Sequence, residues 1–112
     1  MSAPREIDPH AAIDFILKHS AAFAQAKAQR VYLEEFRRSK RSLLMAQSDA
    51  PAANAREQYA YAHPEYIELL VALQAAVETE EELRWQLIAA QARVDIWRSQ
   101  EASNRAVDRS AR

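Results

Sequence analysis

Apolar residues recur at helical spacing along most of the chain, in two long stretches separated by a polar segment. In the second stretch they alternate steps of four and three, which is an a/d heptad pattern sustained over about four heptads. This seam comprises Leu69, Leu73, Ala76, Glu80, Leu83, Leu87, Ala90, Val94 and Trp97. Only Glu80 interrupts it, and a polar seam residue can set register or oligomer state at a cost in stability.

The first stretch predicts a helix that begins at Asp8-Pro9, with Asp8 as N-cap and Pro9 at the first helical position. Neither proline nor glycine follows until Ser48-Asp49-Ala50-Pro51 ends the stretch. We expect one long helix, or two pieces with a break near His19-Ser20. Its apolar stripe runs through Ile13, Leu17, Ala21, Ala24, Ala28 and Val31, and then shifts to Leu33, Phe36, Leu43 and Leu44.

Pro64 opens the second helix as a first-turn proline, and the segment before it is a connector that can be partly helical. The predicted fold class is all-α: a long helical hairpin with a heptad-patterned C-terminal helix. Its segments are an N-terminal extension (1–8), a first long helix (9–48), the connector (49–63), a second long helix (64–105) and a frayed tail (106–112).

More than one face of the second helix is apolar. A second row contains Ile67, Leu70, Val77 and Ile88, with Trp85 and Ile96 near it. A hairpin of two helices in a short chain buries too little surface to be stable alone. One face can meet the first helix and the other needs another chain, so we predict a homo-oligomer.

Composition excludes several classes of protein. The 112 residues include 24 alanines but no glycine, where an average chain would have roughly 8. Phosphate-cradling loops and nucleophile elbows need glycine, and no catalytic set is recognisable, so we expect no enzyme and no cofactor. Without cysteine there is no thiolate site. The apolar runs are too short for a membrane span, and we expect a cytoplasmic protein.

The net charge of −1 hides a segregation of charge along the chain. Residues 27–41 sum to +4, and residues 42–83 sum to −7. The basic block, Arg37, Arg38, Lys40 and Arg41, lies in the positive segment together with Arg30. A hairpin folded about residue 56 places 27–41 opposite roughly 71–85, so the cations can be neutralised by the acidic segment. Alternatively, part of this charge stays in water and binds phosphates; both hypotheses remain open.

Other candidate sites are weaker. His10 and Asp14 have metal-ligand spacing but no third ligand, and the acidic run Glu78, Glu80, Glu81 and Glu82 points in several directions. We expect no metal site. Trp97 lies on the seam and Trp85 beside it, which favours core or interface over base stacking. Tyr59, Tyr61 and Tyr66 are better placed to stack on bases if they are exposed.

From Gln29 to Arg105 the chain resembles the UvsY-type recombination mediators of bacteriophages. The likeness comprises a helix with a basic end, "EEFRRSKRSLLM", a polar connector, and the pattern "HPEYIELLVALQAAVETEEELRWQLIAAQARVDIWR". It implies an oligomer that binds single-stranded DNA without sequence preference and helps load a RecA-like recombinase onto strands covered by single-strand-binding protein. It also implies the cytoplasm of a host cell. It puts oligomer contacts on Leu83, Leu87, Val94 and Trp97, and DNA contact on the basic block. Arg30 shares a helix face with Arg37 and Arg41, and we predict that it also contacts DNA.

Two other functions fit the same pattern. The first is a helical scaffold, adaptor or phage assembly chaperone that grips a protein partner through its apolar helix face and binds no DNA. The second is a toxin–antitoxin or regulatory module that binds no nucleic acid. No helix-turn-helix signature supports a sequence-specific DNA reader.

Overall fold

The structure, a computed structural model, describes residues 6–111. They form helices α1 (Pro9–Gln47), α2 (Ala53–Ala62) and α3 (Pro64–Ser110). No strand occurs in this range, and the predicted all-α hairpin of two long helices is confirmed. Residues 1–5 of the predicted extension and Arg112 of the predicted tail lie outside the described residues.

Local hydrogen bonds account for the starts of the long helices. The Asp8 carboxylate accepts the backbone N–H groups of His10 and Ala11 at 3.0 and 3.2 Å, which confirms the predicted N-cap. His63 adopts the extended conformation (φ −66°, ψ 135°) that a residue preceding proline prefers. Its Nδ1 accepts the N–H of Glu65 at 3.1 Å, so the His63 side chain caps α3.

Both long helices continue through positions where the sequence suggested an interruption. At His19-Ser20, the side chains bond back to the preceding turn: His19 Nδ1 lies 2.9 Å from the Phe15 carbonyl and Ser20 Oγ lies 3.4 Å from the Leu17 carbonyl. Helix α3 runs to Ser110, so the predicted end at Arg105 is wrong. Good helix formers sustain a helix even after its apolar residues stop.

The chain divides into two compact units. The first unit combines Met1–Phe23 with Glu82–Arg112, and the second unit is Ala24–Glu81. In the first unit, Ala12 of α1 is buried against Ala90 and Val94 of α3, with Phe15 and Ile16 packed beside them. In the second unit, α2 fills the space beside the ends of the long helices. There Leu44, Ala60 and Tyr66 form a buried cluster with Met45 packed against it.

The predicted seam of α3 faces the interior. Glu80, Ala90 and Val94 are buried, and the other six seam residues are half-buried. The second row is exposed, with exposures from 38% at Val77 to 63% at Trp85. The seam is therefore covered by the chain itself, as one of the two predicted apolar faces should be.

The first part of the apolar stripe predicted for α1 faces solvent and not the interior. Ile13, Leu17 and Val31 are 43%, 71% and 42% exposed. The alanines of the predicted stripe, Ala21, Ala24 and Ala28, are also exposed. The positions that face inward include Ala12, Ile16, Phe23, Ala26, Arg30 and Leu33. Helical periodicity allows only one side of α1 to meet α3, and the side that carries Arg30 is the one buried.

An ion pair explains the orientation of the part of α1 that lies in the unit Ala24–Glu81. Glu80 is 1% exposed, and its carboxylate accepts Arg30 Nε and, at 3.1 Å, Arg30 Nη2. Arg30 Nη1 also bonds to Glu34 at 3.0 Å. The bonds to Glu80 and then to Glu34 raise the pKa of the Arg30 guanidinium above its ordinary value. The predicted meeting of basic and acidic segments occurs at this pair.

Replacing one member of this pair should destabilise the protein strongly. For Glu80→Ala we expect a fall in Tm of about 10 °C, since Arg30 loses the buried carboxylate that accepts two of its hydrogen bonds and keeps only the bond to Glu34. The double replacement Arg30→Leu with Glu80→Leu should recover most of the loss, because apolar side chains suit the seam. Circular dichroism melts would measure both, and a double variant as unstable as Glu80→Ala would contradict the explanation.

Candidate nucleic-acid interface

The structure divides the cations predicted to contact DNA into two groups. Arg30 is engaged by Glu80 and Glu34, and Lys40 Nζ lies 3.0 Å from a Glu65 carboxylate oxygen. The Lys40 hydrogen bond holds the pKa of Glu65 below its usual range, so this contribution to stability is present at neutral pH and is lost on acidification. The charges of Arg30 and Lys40 are therefore neutralised within the chain.

The remaining members of the basic block meet in one place. Arg37, Arg38 and Arg41, from the last turns of α1, line a cleft of about 340 Å³ together with Tyr61 of α2 and Tyr66 of α3. We call it the arginine cleft. Arg37 and Arg38 form no hydrogen bond or ion pair with any other described residue. Positions 37, 38 and 41 lie on one side of a helix, whereas Lys40 projects elsewhere to reach Glu65.

Arg41 is fixed in the cleft by a neutral partner. Its Nη1 donates a hydrogen bond of 2.8 Å to the Tyr61 hydroxyl, and its guanidinium carbon lies 5.9 Å from the centre of the same ring. The hydrogen bond to Tyr61 raises the pKa of Arg41 above its ordinary value. Arg41 Nε is buried without a hydrogen-bond partner among residues 6–111. The positive charge of Arg41 is therefore held beside a neutral hydroxyl and not beside a carboxylate, which favours an anion in the cleft.

The two tyrosines of the cleft play different parts. Tyr66 is 6% exposed and belongs to the buried cluster, so it forms a fixed wall. Tyr61 is 46% exposed and meets the Tyr66 ring edge to face, with the ring centres 5.3 Å apart. One ring is thus rigidly packed while the other is held at the surface by Tyr66 and Arg41, where a flat ligand can stack on it.

The other predicted site residues lie elsewhere. The predicted oligomer contacts Leu83, Leu87, Val94 and Trp97 all lie on the seam, and Val94 is buried within its own chain. Tyr59 is exposed and packs edge-on against His63 rather than in the cleft. No three His, Cys, Asp or Glu side chains cluster as a metal site in the described chain. Within the same residues, no helix is long and apolar enough to cross a membrane.

Comparisons with protein-family models, with curated proteins and with solved structures give no match. The resemblance to UvsY-type mediators therefore stays a prediction.

The role of α2 in the site was missed from the sequence. The connector was expected to be partly helical, but its packing against both long helices brings Tyr61 to Arg41. A signal was present: between Pro51 and Pro64 the segment consists mostly of good helix formers such as alanine, arginine and glutamate. Helix propensity does not show in which direction the Tyr61 side chain points.

The division of the arginines can be tested with a dicarbonyl reagent that modifies accessible guanidinium groups. Arg37 and Arg38 should react several-fold faster than Arg30, because carboxylates hold Arg30 at three of its N–H groups. Mass spectrometry of peptides from the full chain would give the rates. Glu80→Gln is the matched variant and should raise the rate at Arg30 alone. Equal rates at Arg30 and Arg37 in the unaltered chain would contradict the assignment.

Proposed function

We propose that this chain is a non-enzymatic protein that binds single-stranded DNA without sequence preference. The observation that carries the proposal is the arginine cleft, where guanidinium groups without carboxylate partners lie beside a half-exposed tyrosine. Arginine suits phosphate because its planar fork donates two parallel hydrogen bonds. An aromatic ring suits an unpaired base because every base has a face that can stack. The combination is typical of single-strand binding rather than duplex reading.

The mechanism in this proposal is electrostatic. Arg37, Arg38 and Arg41 neutralise phosphates and release counterions, while Tyr61 stacks on a base. None of these contacts reads base edges, so binding is independent of sequence. As the resemblance implies, the bound strand would then be presented to a RecA-like recombinase in competition with single-strand-binding protein, in the cytoplasm of the cell.

We further propose that the protein acts as a homo-oligomer, which would repeat the cleft and raise the strength of binding. The support is the distribution of apolar surface. Of the eight buried apolar residues of the described chain, four are alanines, so the single chain buries little. Trp85, Ile88 and Ile96 of the second row are 63%, 45% and 49% exposed. A second copy covering these side chains would supply the missing burial.

The same exposed row favours a second candidate function. A helical adaptor or assembly chaperone would place a partner's apolar side chains against Trp85, Ile88 and Ile96, and its arginines would serve solubility or pairing. That function predicts no binding to a single-stranded oligonucleotide at low salt.

The cleft residues should control DNA affinity. Binding of a fluorescent single-stranded oligonucleotide should be tight at about 50 mM salt and collapse at about 200 mM. The triple change Arg37→Ala, Arg38→Ala and Arg41→Ala should weaken binding for all sequences and lower the slope of log affinity against log salt by about 2. The matched control removes the same charge from the exposed arginines Arg93, Arg98 and Arg105. Unaltered affinity in the cleft variant, or equal losses in both, would reject the site.

The face that holds the oligomer together can be located by paired variants. Ile88→Ser with Ile96→Ser should lower the mass found by light scattering and leave the helix content unchanged, because both residues are exposed in the single chain. Val94→Ser should instead lower Tm, since Val94 is packed against Ala12. Loss of the oligomer in the Val94 variant alone would move the interface to the seam, as the resemblance implies.

A further inference from the structure

The charge of the arginine cleft is concentrated in a small volume. Three arginines line it, and the Tyr61 hydroxyl, which accepts a hydrogen bond from Arg41, is neutral. By comparison, Arg30 and Lys40 each contact a carboxylate directly. The arginines of the cleft therefore keep positive charge that no ion pair within the described residues neutralises.

This charge differs from what an internal phosphate of a DNA strand needs. An internal phosphodiester carries a single negative charge and has two oxygens free to accept hydrogen bonds. A terminal phosphomonoester carries about −1.5 to −2 charges at neutral pH and presents three strong acceptor oxygens. Three arginines that line one cleft can donate to three oxygens, and their summed positive charge favours a dianion over a monoanion.

The volume of the cleft also favours a single terminal phosphate over a length of strand. At about 340 Å³ it lies near the lower limit of ligand sites, about 300 Å³, so it accommodates roughly one nucleotide rather than a length of strand. Tyr66 closes one side as a buried wall, and Tyr61 stands at the surface beside Arg41. A phosphate held by the arginines would have its own base within reach of the Tyr61 ring.

We propose that the arginine cleft recognises the terminal phosphate of a DNA single strand in preference to its internal phosphates. The inference rests on the proposed function and deepens it, because it names the part of the strand that the cleft holds. The rest of the strand is bound more weakly, by charges outside the cleft. A free nucleoside monophosphate has the same phosphate chemistry, and the experiment separates the two sources.

The test uses the full chain and short oligonucleotides of about 16 nucleotides with an internal fluorescent label. Three versions are compared: one with a 5′-phosphate, one with a 3′-phosphate and one with hydroxyl groups at both ends. At fixed salt we expect a phosphate at one end to raise affinity about tenfold over the version with hydroxyl ends. Adenosine 5′-monophosphate and adenosine serve as competitors.

A matched variant separates shape from charge. Arg37→Lys, Arg38→Lys and Arg41→Lys together keep the charge but lose the planar forks, so the preference for a terminal phosphate should disappear while binding of the hydroxyl version remains. The same three changes at Arg93, Arg98 and Arg105 should leave the preference intact. Circular dichroism of each variant confirms that it is folded.

The outcomes distinguish the two proposals. Equal affinity for all three oligonucleotides overturns the end-recognition inference and leaves single-strand binding standing. Absence of binding to every oligonucleotide at low salt overturns the proposed function together with the inference. If adenosine 5′-monophosphate competes as strongly as the phosphorylated strand does, the proposal of a strand end is rejected and the ligand of the cleft is a free nucleotide.

Discussion

A carboxylate buried in an apolar seam needs a cation, and this requirement organises the unit Ala24–Glu81. Glu80 is almost fully buried, and Arg30 is the cation that reaches it. Meeting this need fixes both the rotation of α1 in this unit and its register against α3, because a helix can present Arg30 inward in only one orientation. The pair resembles the polar residues that set register in coiled coils at some cost in stability.

Once the register is fixed, the basic block divides. Lys40 falls beside Glu65 at the start of α3, and the three arginines fall at the end of α1, where Tyr61 and Tyr66 complete the cleft. From the sequence alone, charge neutralisation and phosphate binding are alternatives for the whole block. They apply instead to different residues within it, since neighbouring positions on a helix point in different directions.

The apolar surface is divided in a similar way. The seam residues of α3 pack within the chain, and Ala90 and Val94 contact Ala12. The second row remains outside, as does the start of the apolar stripe on α1 at Ile13 and Leu17. A chain in which half of the buried apolar residues described are alanines keeps considerable apolar surface in contact with water. Assembly and DNA binding thus involve different faces in the proposed function, so they can be altered separately.

The sequence by itself determined the helices, because their signals are local. Asp8, Pro9 and Pro64 predicted the starts of α1 and α3, and the spacing from Leu69 to Trp97 predicted the inward face of α3. It also identified the basic block and the tyrosines as candidates, without linking them. The tertiary structure decided which side of α1 faces inward within the unit Ala24–Glu81, where Arg30 meets the buried Glu80 and Val31 of the apolar stripe is exposed. It also decided that Tyr61 reaches Arg41, because that contact depends on how α2 packs across residues distant in sequence.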